Sequence, residues 1–211
     1  MQKANGFTRQ EILTAIKLNG TMTAEALGKA LNISPVAVRQ HLAALEAEGL
    51  VATSIERRNV GRPVHRYTIT HRGDETFPRD YAACANSLLD EIRYREGEEA
   101  IAELFTRQRE RLQSSLQSRM DGKNLAARVC ELAKIQSDAG YMAKVAEEEH
   151  GEGYILTEHN CAICQIARQH PEACEQELIL FQQLLGEEVE VTREKHILSG
   201  DFTCTYRIRP R

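Results

Sequence analysis

Ile33-Ser34-Pro35-Val36-Ala37-Val38-Arg39-Gln40-His41-Leu42-Ala43-Ala44-Leu45-Glu46 reads as a helix with two unlike faces. Ser34 is a good N-cap, Pro35 fits the first helical position, where no N–H is needed, and Val38, Leu42 and Leu45 recur at helical spacing. Arg39, Gln40 and His41 fall on the opposite side. Three long hydrogen-bonding side chains do not suit a buried helix. They suit a solvated face, or a helix that offers donors to phosphates and base edges in a DNA groove. The neighbouring segments decide between the two.

Upstream, Thr8-Arg9-Gln10-Glu11 has the form of a capping box leading into Ile12, Leu13, Ile16 and Leu18, a first helix that Asn19-Gly20 ends. Thr23 caps a second helix through Leu27 and Leu31, and Asn32-Ile33 leaves room only for a tight turn before Ser34. Three helices joined this way make a helix-turn-helix, the third ending at Gly49. Downstream, Leu50–Ile55 and His65–Ile69 read as two short strands joined through Glu56 to Val64. The tip of this hairpin, Arg57-Arg58-Asn59-Val60-Gly61-Arg62-Pro63, is a charged turn or a wing whose arginines enter a minor groove. After a groove-reading helix the wing is the better reading. The candidate DNA contacts are Ser34, Arg39, Gln40, His41, Arg57, Arg58 and Arg62.

Charge supports this. Residues 1–72 hold ten Lys and Arg against five acids, so the whole-chain net charge of −4 leaves −9 for the remainder. A basic module on an acidic body fits a nucleic-acid binder. No run of about 18 apolar residues occurs and the N-terminus has no signal-peptide core, so a soluble, cytoplasmic protein is expected. In that reducing compartment the six cysteines are expected to bind metal, act in redox chemistry or lie buried rather than form structural disulfides.

Gly73 to Pro78 marks a boundary. Beyond it Tyr81, Cys84, Leu88, Leu89 and Ile92 form one apolar stripe, and Ala100, Ile101, Leu104, Phe105, Leu112 and Leu116 form a second on a long charged helix. Lys123 to Asp138 reads as a third helix. Such seams need a partner, which is either a second subunit or the rest of this chain, and residues 73–138, through their second and third helices, are the candidate dimerisation region. Cys84 and Cys130 lie on these stripes and are expected to be buried as small hydrophobes. Residues 139–211 read as a small α+β section. It comprises strands at Tyr141–Val145 and Gly153–Thr157, helices at Ala162–Arg168 and Pro171–Leu185, and a hairpin of Val189–Arg193 with Phe202–Ile208. The fold class expected is α+β: a winged helix-turn-helix at 1–72, long helices at 73–138 and the small domain at 139–211.

Four cysteines fall in that last section: Cys161 and Cys164 at C-x-x-C spacing, then Cys174 and Cys204. Two thiols one turn apart at a helix start favour thiolates, and thiolate-rich sites suit zinc or an iron–sulfur cluster. A dithiol redox switch at Cys161/Cys164 and chance burial are the other readings. A thiol–disulfide enzyme would need a thioredoxin-like β-α-β order, and no phosphate loop, dinucleotide fingerprint or H-E-x-x-H motif is present, so no enzyme is expected.

Residues 33–69 and the GRP-x-x-x-Y-x-(I/L)-T pattern beginning at Gly61 resemble the winged-helix repressors, which implies a dimer on an inverted repeat. Asn160-Cys161-Ala162-Ile163-Cys164, C-x-x-E-L at 174–178, Phe181, C-x-Y at 204–206, and GYM at 140–142 followed by GYIL at 153–156 are similar to the SufR-type iron–sulfur repressors, related to the DeoR/ArsR-like winged-helix regulators. That resemblance implies a homodimeric repressor of iron–sulfur assembly genes carrying a [4Fe–4S] cluster in each subunit. By position Cys161, Cys174 and Cys204 match the recurrent ligands. Cys164 stands where the family pattern varies, leaving the fourth ligand between Cys164 and a nearby Glu158, His159 or His170.

Overall fold

The computed structural model describes residues 5–57, 63–148 and 153–211. Residues 1–79 and 80–211 form two compact units.

In the first unit α1 (Asn5–Asn19), β1 (Thr21–Met22), α2 (Ala24–Leu31), α3 (Pro35–Ala47), β2 (Val51–Glu56), β3 (Val64–Ile69) and α4 (His71–Asp74) follow in order. The expected caps hold: the Ala26 N–H donates to Thr23 Oγ1 and the Ala37 N–H to Ser34 Oγ, each at 3.2 Å. Thr8 is not a cap, because α1 already begins at Asn5. Ile12 and Ile16 of α1, Leu27 of α2 and Val38, Leu42 and Leu45 of α3 form a closed core with Val51. Gly28 lets α2 and α3 approach: a Cβ there would stand 2.8 Å from the Ile33 carbonyl oxygen.

The antiparallel sheet has the order β1-β3-β2, with Val51 opposite Ile69 and Glu56 opposite Val64. Strand β1, which has no periodicity to announce it, pairs with β3 through Thr21 and Thr68. The hairpin base is thereby tied to the turn between α1 and α2. Thr70 Oγ1 donates to the Gly49 carbonyl at 2.6 Å and accepts from the Gly73 N–H at 3.0 Å, so α4 folds back on the start of β2. A Cβ on Gly73 would lie 2.0 Å from the Leu50 carbonyl oxygen.

The second unit contains α5 (Tyr81–Glu96), α6 (Glu98–Met120), α7 (Leu125–Asp138), β4 (Ala143–Glu147), β5 (Tyr154–Glu158), α8 (Cys164–Ala167), α9 (Glu172–Leu185), β6 (Val189–Lys195) and β7 (Cys204–Pro210). Its antiparallel sheet has the order β4-β5-β7-β6. Helices α7 and α9 cover it, burying Val129, Leu132, Phe181 and Leu184 against Leu156, Tyr206 and Ile208. The Phe181 and Tyr206 rings meet edge to face at 4.9 Å. A second cluster joins Ile101 and Phe105 of α6 to Ala173 of α9, with Leu89 and Ile92 of α5 against it.

The long helices thus share a core with the C-terminal sheet, and 73–138 is no separate body: α6 spends its apolar seam on α9. Cys84 and Cys130, expected inside, are exposed. On α5 the stripe is wider than the contact, so Leu89 and Ile92 turn inward while Tyr81 and Leu88 remain 70% and 63% exposed.

Candidate nucleic-acid interface and thiol site

The burial of Val38, Leu42 and Leu45 fixes how α3 is rotated. Ser34, Arg39 and Gln40 are left exposed, and His41 is half-buried. The Arg39 guanidinium is paired with Glu25 of α2. Together with Ala24, Pro63, Val64, His65 and Tyr67 these two residues line a groove of about 620 Å³ between the helices and β3. Burial raises the Tyr67 pKa, with Glu46 and Glu25 adding to the rise and Arg39 opposing it. Arg57 is exposed at the end of β2, while Arg58 and Arg62 lie outside the described residues. This face offers a capped helix start, a guanidinium, an amide and an imidazole beside a hairpin, groups able to hydrogen-bond phosphates and base edges.

In the second unit, Cys161 lies in the turn before α8 and Cys164 opens that short helix, which is shorter than the expected 162–168. Cys174 sits in the first turn of α9 and Cys204 begins β7, directly opposite Glu158 of β5. Cys174 and Cys204 are buried, Cys161 and Cys164 half-buried, and all four thiols are free. The Cys161 sulfur is within electrostatic range of Cys164 and Cys174, and Cys174 of Cys204. Burial pushes the Cys161 thiol up to about 12 and Cys174 up to about 11, and raises Cys204. Two backbone donors act the other way: the Ile163 N–H on Cys161, and the Ile197 N–H on Cys204 Sγ at 3.5 Å. Arg193, which donates to the Cys174 carbonyl and lies 5.4 Å from the Tyr206 ring, is the cation facing Cys174 and Cys204.

The donor set suits a thiophilic group: sulfur ligands, backbone N–H groups directed at sulfur and one guanidinium to offset negative charge. Among the described residues no three His, Cys, Asp or Glu side chains stand close enough to share one metal ion. Of the other ligand candidates, His159 is exposed, and His170 is fully buried with Nδ1 3.0 Å from Arg93. Glu158 is tied to Gln136 at 2.8 Å.

A buried polar network beside the thiols went unread in the sequence. Gln136 donates to Glu158 and Glu177, and the Tyr206 hydroxyl donates to Glu177 Oε2 at 3.0 Å. Burial raises both carboxyls, Glu158 to about 8, and the charge of Glu177 adds to the rise at Glu158. Gln136 and Glu177 occupy inward positions on α7 and α9, beside Leu132 and between Cys174 and Phe181, and that spacing was the available signal.

Comparison with known proteins places the first unit. Residues 8–52 match a family described as winged helix-turn-helix DNA-binding. A stretch of 66 residues is 36% identical to the probable C4-dicarboxylate response regulator DctR of Bacillus subtilis (strain 168), covering 31% of this chain and 29% of that protein. The chain therefore spans under a third of the length of this relative. The crystal structure of Bacillus subtilis PadR in complex with operator DNA is matched over 84% of this chain and 98% of that one, at 12% identity and a TM-score of 0.30. The N-terminal unit is a winged helix-turn-helix, and what it matches is a family described as DNA-binding and a protein named as a response regulator. No helix among the described residues is long and apolar enough to cross a membrane.

Proposed function

We propose that this chain is a transcriptional repressor that binds double-stranded DNA as a homodimer on an inverted repeat. In this reading its second unit carries a [4Fe–4S] cluster on Cys161, Cys164, Cys174 and Cys204, and it controls iron–sulfur assembly genes. The observation that carries the DNA part is the exposed polar face of α3, set by a satisfied Ser34 cap and a fully buried opposite face. Its N-terminal half presents the donors that base edges and phosphates require. A two-fold dimer places two such helices on half-sites about one helical turn, or a multiple of it, apart.

The cluster part is supported by four thiols from the α8 turn, α9 and β7 that form an electrostatic chain, Cys164 to Cys161 to Cys174 to Cys204, with N–H groups on two sulfurs. When bound, the group would supply a centre whose presence reports iron–sulfur supply. The protein's own residues would lose thiol protons, offset the charge with Arg193 and join α8, α9 and β7. A useful switch needs a coupling of about 1–3 kcal/mol between that joined state and DNA affinity. Zinc on the same thiols is the alternative.

Anaerobic purification followed by an absorption spectrum and iron and sulfide analysis tests the assignment. Four irons and four sulfides per chain, lost on oxidation, are expected. A colourless, zinc-loaded protein would remove the cluster and leave the DNA module standing. Operator titration of the two forms then reads the coupling, and equal affinity with and without the cluster would remove its regulatory role.

A further inference from the structure

Away from the thiols, α6, α7 and α9 form a half-open pocket of about 300 Å³ in the second unit, with Leu112 at its exposed edge. Its walls are mostly apolar, with Phe105 and Leu112 from α6, Ile135 from α7, Ile163 from the turn before α8, and Leu180 from α9. A pocket of this size lies at the lower end of small-molecule sites.

One polar group in the lining is poorly matched to its surroundings. The Arg109 side chain is only 11% exposed, yet its close partners are neutral amides: Nε donates to Gln176 Oε1 at 2.8 Å and a terminal nitrogen to Gln183 Oε1 at 2.5 Å. The carboxylate within reach, Glu110, is its chain neighbour, 3.4 Å away and 59% exposed. A nearly buried guanidinium held by amide oxygens is short of negative charge, and its planar fork matches a carboxylate in two hydrogen bonds.

The cavity's other polar residues do not compete for the same ligand. Glu177 also lines it, but its carboxyl already takes hydrogen bonds from Tyr206, Tyr141 and Gln136, and its burial favours the neutral form. A cationic ligand would find no open acceptor there. We propose that this cavity is a binding site for a small carboxylic acid with an apolar body, its carboxylate on Arg109 and its body between α6 and α9. This stands apart from the DNA and cluster readings. The site nevertheless shares α9 with Cys174, since Ala173, Gln176 and Leu180 line the cavity from that helix, and an occupant would brace it.

The test is titration of the full-length protein with sodium octanoate and sodium benzoate, and with octanamide and benzamide as neutral counterparts of the same shape. Calorimetry gives the affinity, and the methyl NMR signals of Ile135, Ile163 and Leu180 give the location. At least one acid is expected to saturate with these three signals shifting, and its amide to bind about ten-fold or more weakly, the ratio a charge-assisted hydrogen bond supplies. Arg109→Gln is expected to reduce the acid to the amide's affinity. The contrast between acid and amide on the unaltered protein carries the test if that variant does not fold. No saturable binding of either acid at millimolar concentration, equal affinity for acid and amide, or shifts confined to other methyl groups would each overturn the proposal.

Discussion

Arg39→Ala is the perturbation that bears hardest on the proposed DNA contact. In the free protein the guanidinium is paired with Glu25, and the two side chains are 53% and 61% exposed, so the pair contributes about 0–1 kcal/mol. Against a guanine edge the same fork is worth about 1–3 kcal/mol. Binding exchanges one for the other, so the loss for Arg39→Ala on a preferred site is expected at the lower part of that range, roughly five- to thirty-fold. Glu25→Gln is expected to act oppositely, tightening binding by up to about five-fold because Arg39 no longer has to be released. The assay is fluorescence anisotropy on a site selected from a random pool with the unaltered protein, alongside a random-sequence duplex, each over a salt series. Loss on the selected site alone marks a base contact. Equal loss on both duplexes, with the log–log salt slope falling by about 0.9, marks a phosphate contact. Unchanged curves for Arg39→Ala on both would refute the placement of α3.

Five further outcomes follow from the geometry and the proposed cluster. Ser34→Ala removes the oxygen that accepts from the Ala37 N–H and should cost about 1 kcal/mol in urea denaturation, and no loss would mean that the cap contributes nothing. Cys204→Ser is expected to abolish most of the cluster. Cys164→Ser decides the fourth ligand, since full iron and sulfide content in that variant would point to a non-thiol group. In the metal-free protein Cys84 and Cys130 should react with a maleimide well before Cys174 and Cys204, and comparable rates would contradict the burial described. Glu158 has its pKa raised from the usual 4.5 to about 8, so the folded form holds more protons than the unfolded chain between those limits. Stability of the metal-free second unit should therefore fall as pH rises through that window, and Glu158→Gln should flatten the slope. A urea midpoint that rises over the same interval would show the carboxyl to be charged.

The winged helix was legible because local signals agree with tertiary ones. Ser34 and Pro35 fix where α3 starts, and Val38, Leu42 and Leu45 fix which side is buried. The two-residue β1 carries no pattern of its own and exists only because β3 offers it an edge. On α5 the apolar stripe named the helix but not its contact, because periodicity cannot say how wide a partner surface is, and Cys84 and Leu88 fell outside it. The thiols could be grouped by spacing. Their surroundings could not, since Gln136, Glu158 and Glu177 meet only when α7, α9 and β5 pack together. Arg109 was hidden in the same way, being a charged residue in the inward seam of an otherwise highly charged helix.

The position of β7 has a bearing on how the protein is made. It is the last described strand to leave the ribosome, yet it lies between β5 and β6, so the second sheet has no centre until it arrives. Cys204 arrives with it. The unit that holds the winged helix ends at residue 79 and has been synthesised about 6–25 s before the rest of the chain at ordinary elongation rates. Each new molecule therefore passes through a stage in which its DNA-reading half is finished and its sulfur-bearing half is not, and a translation pause before residue 204 would prolong that stage.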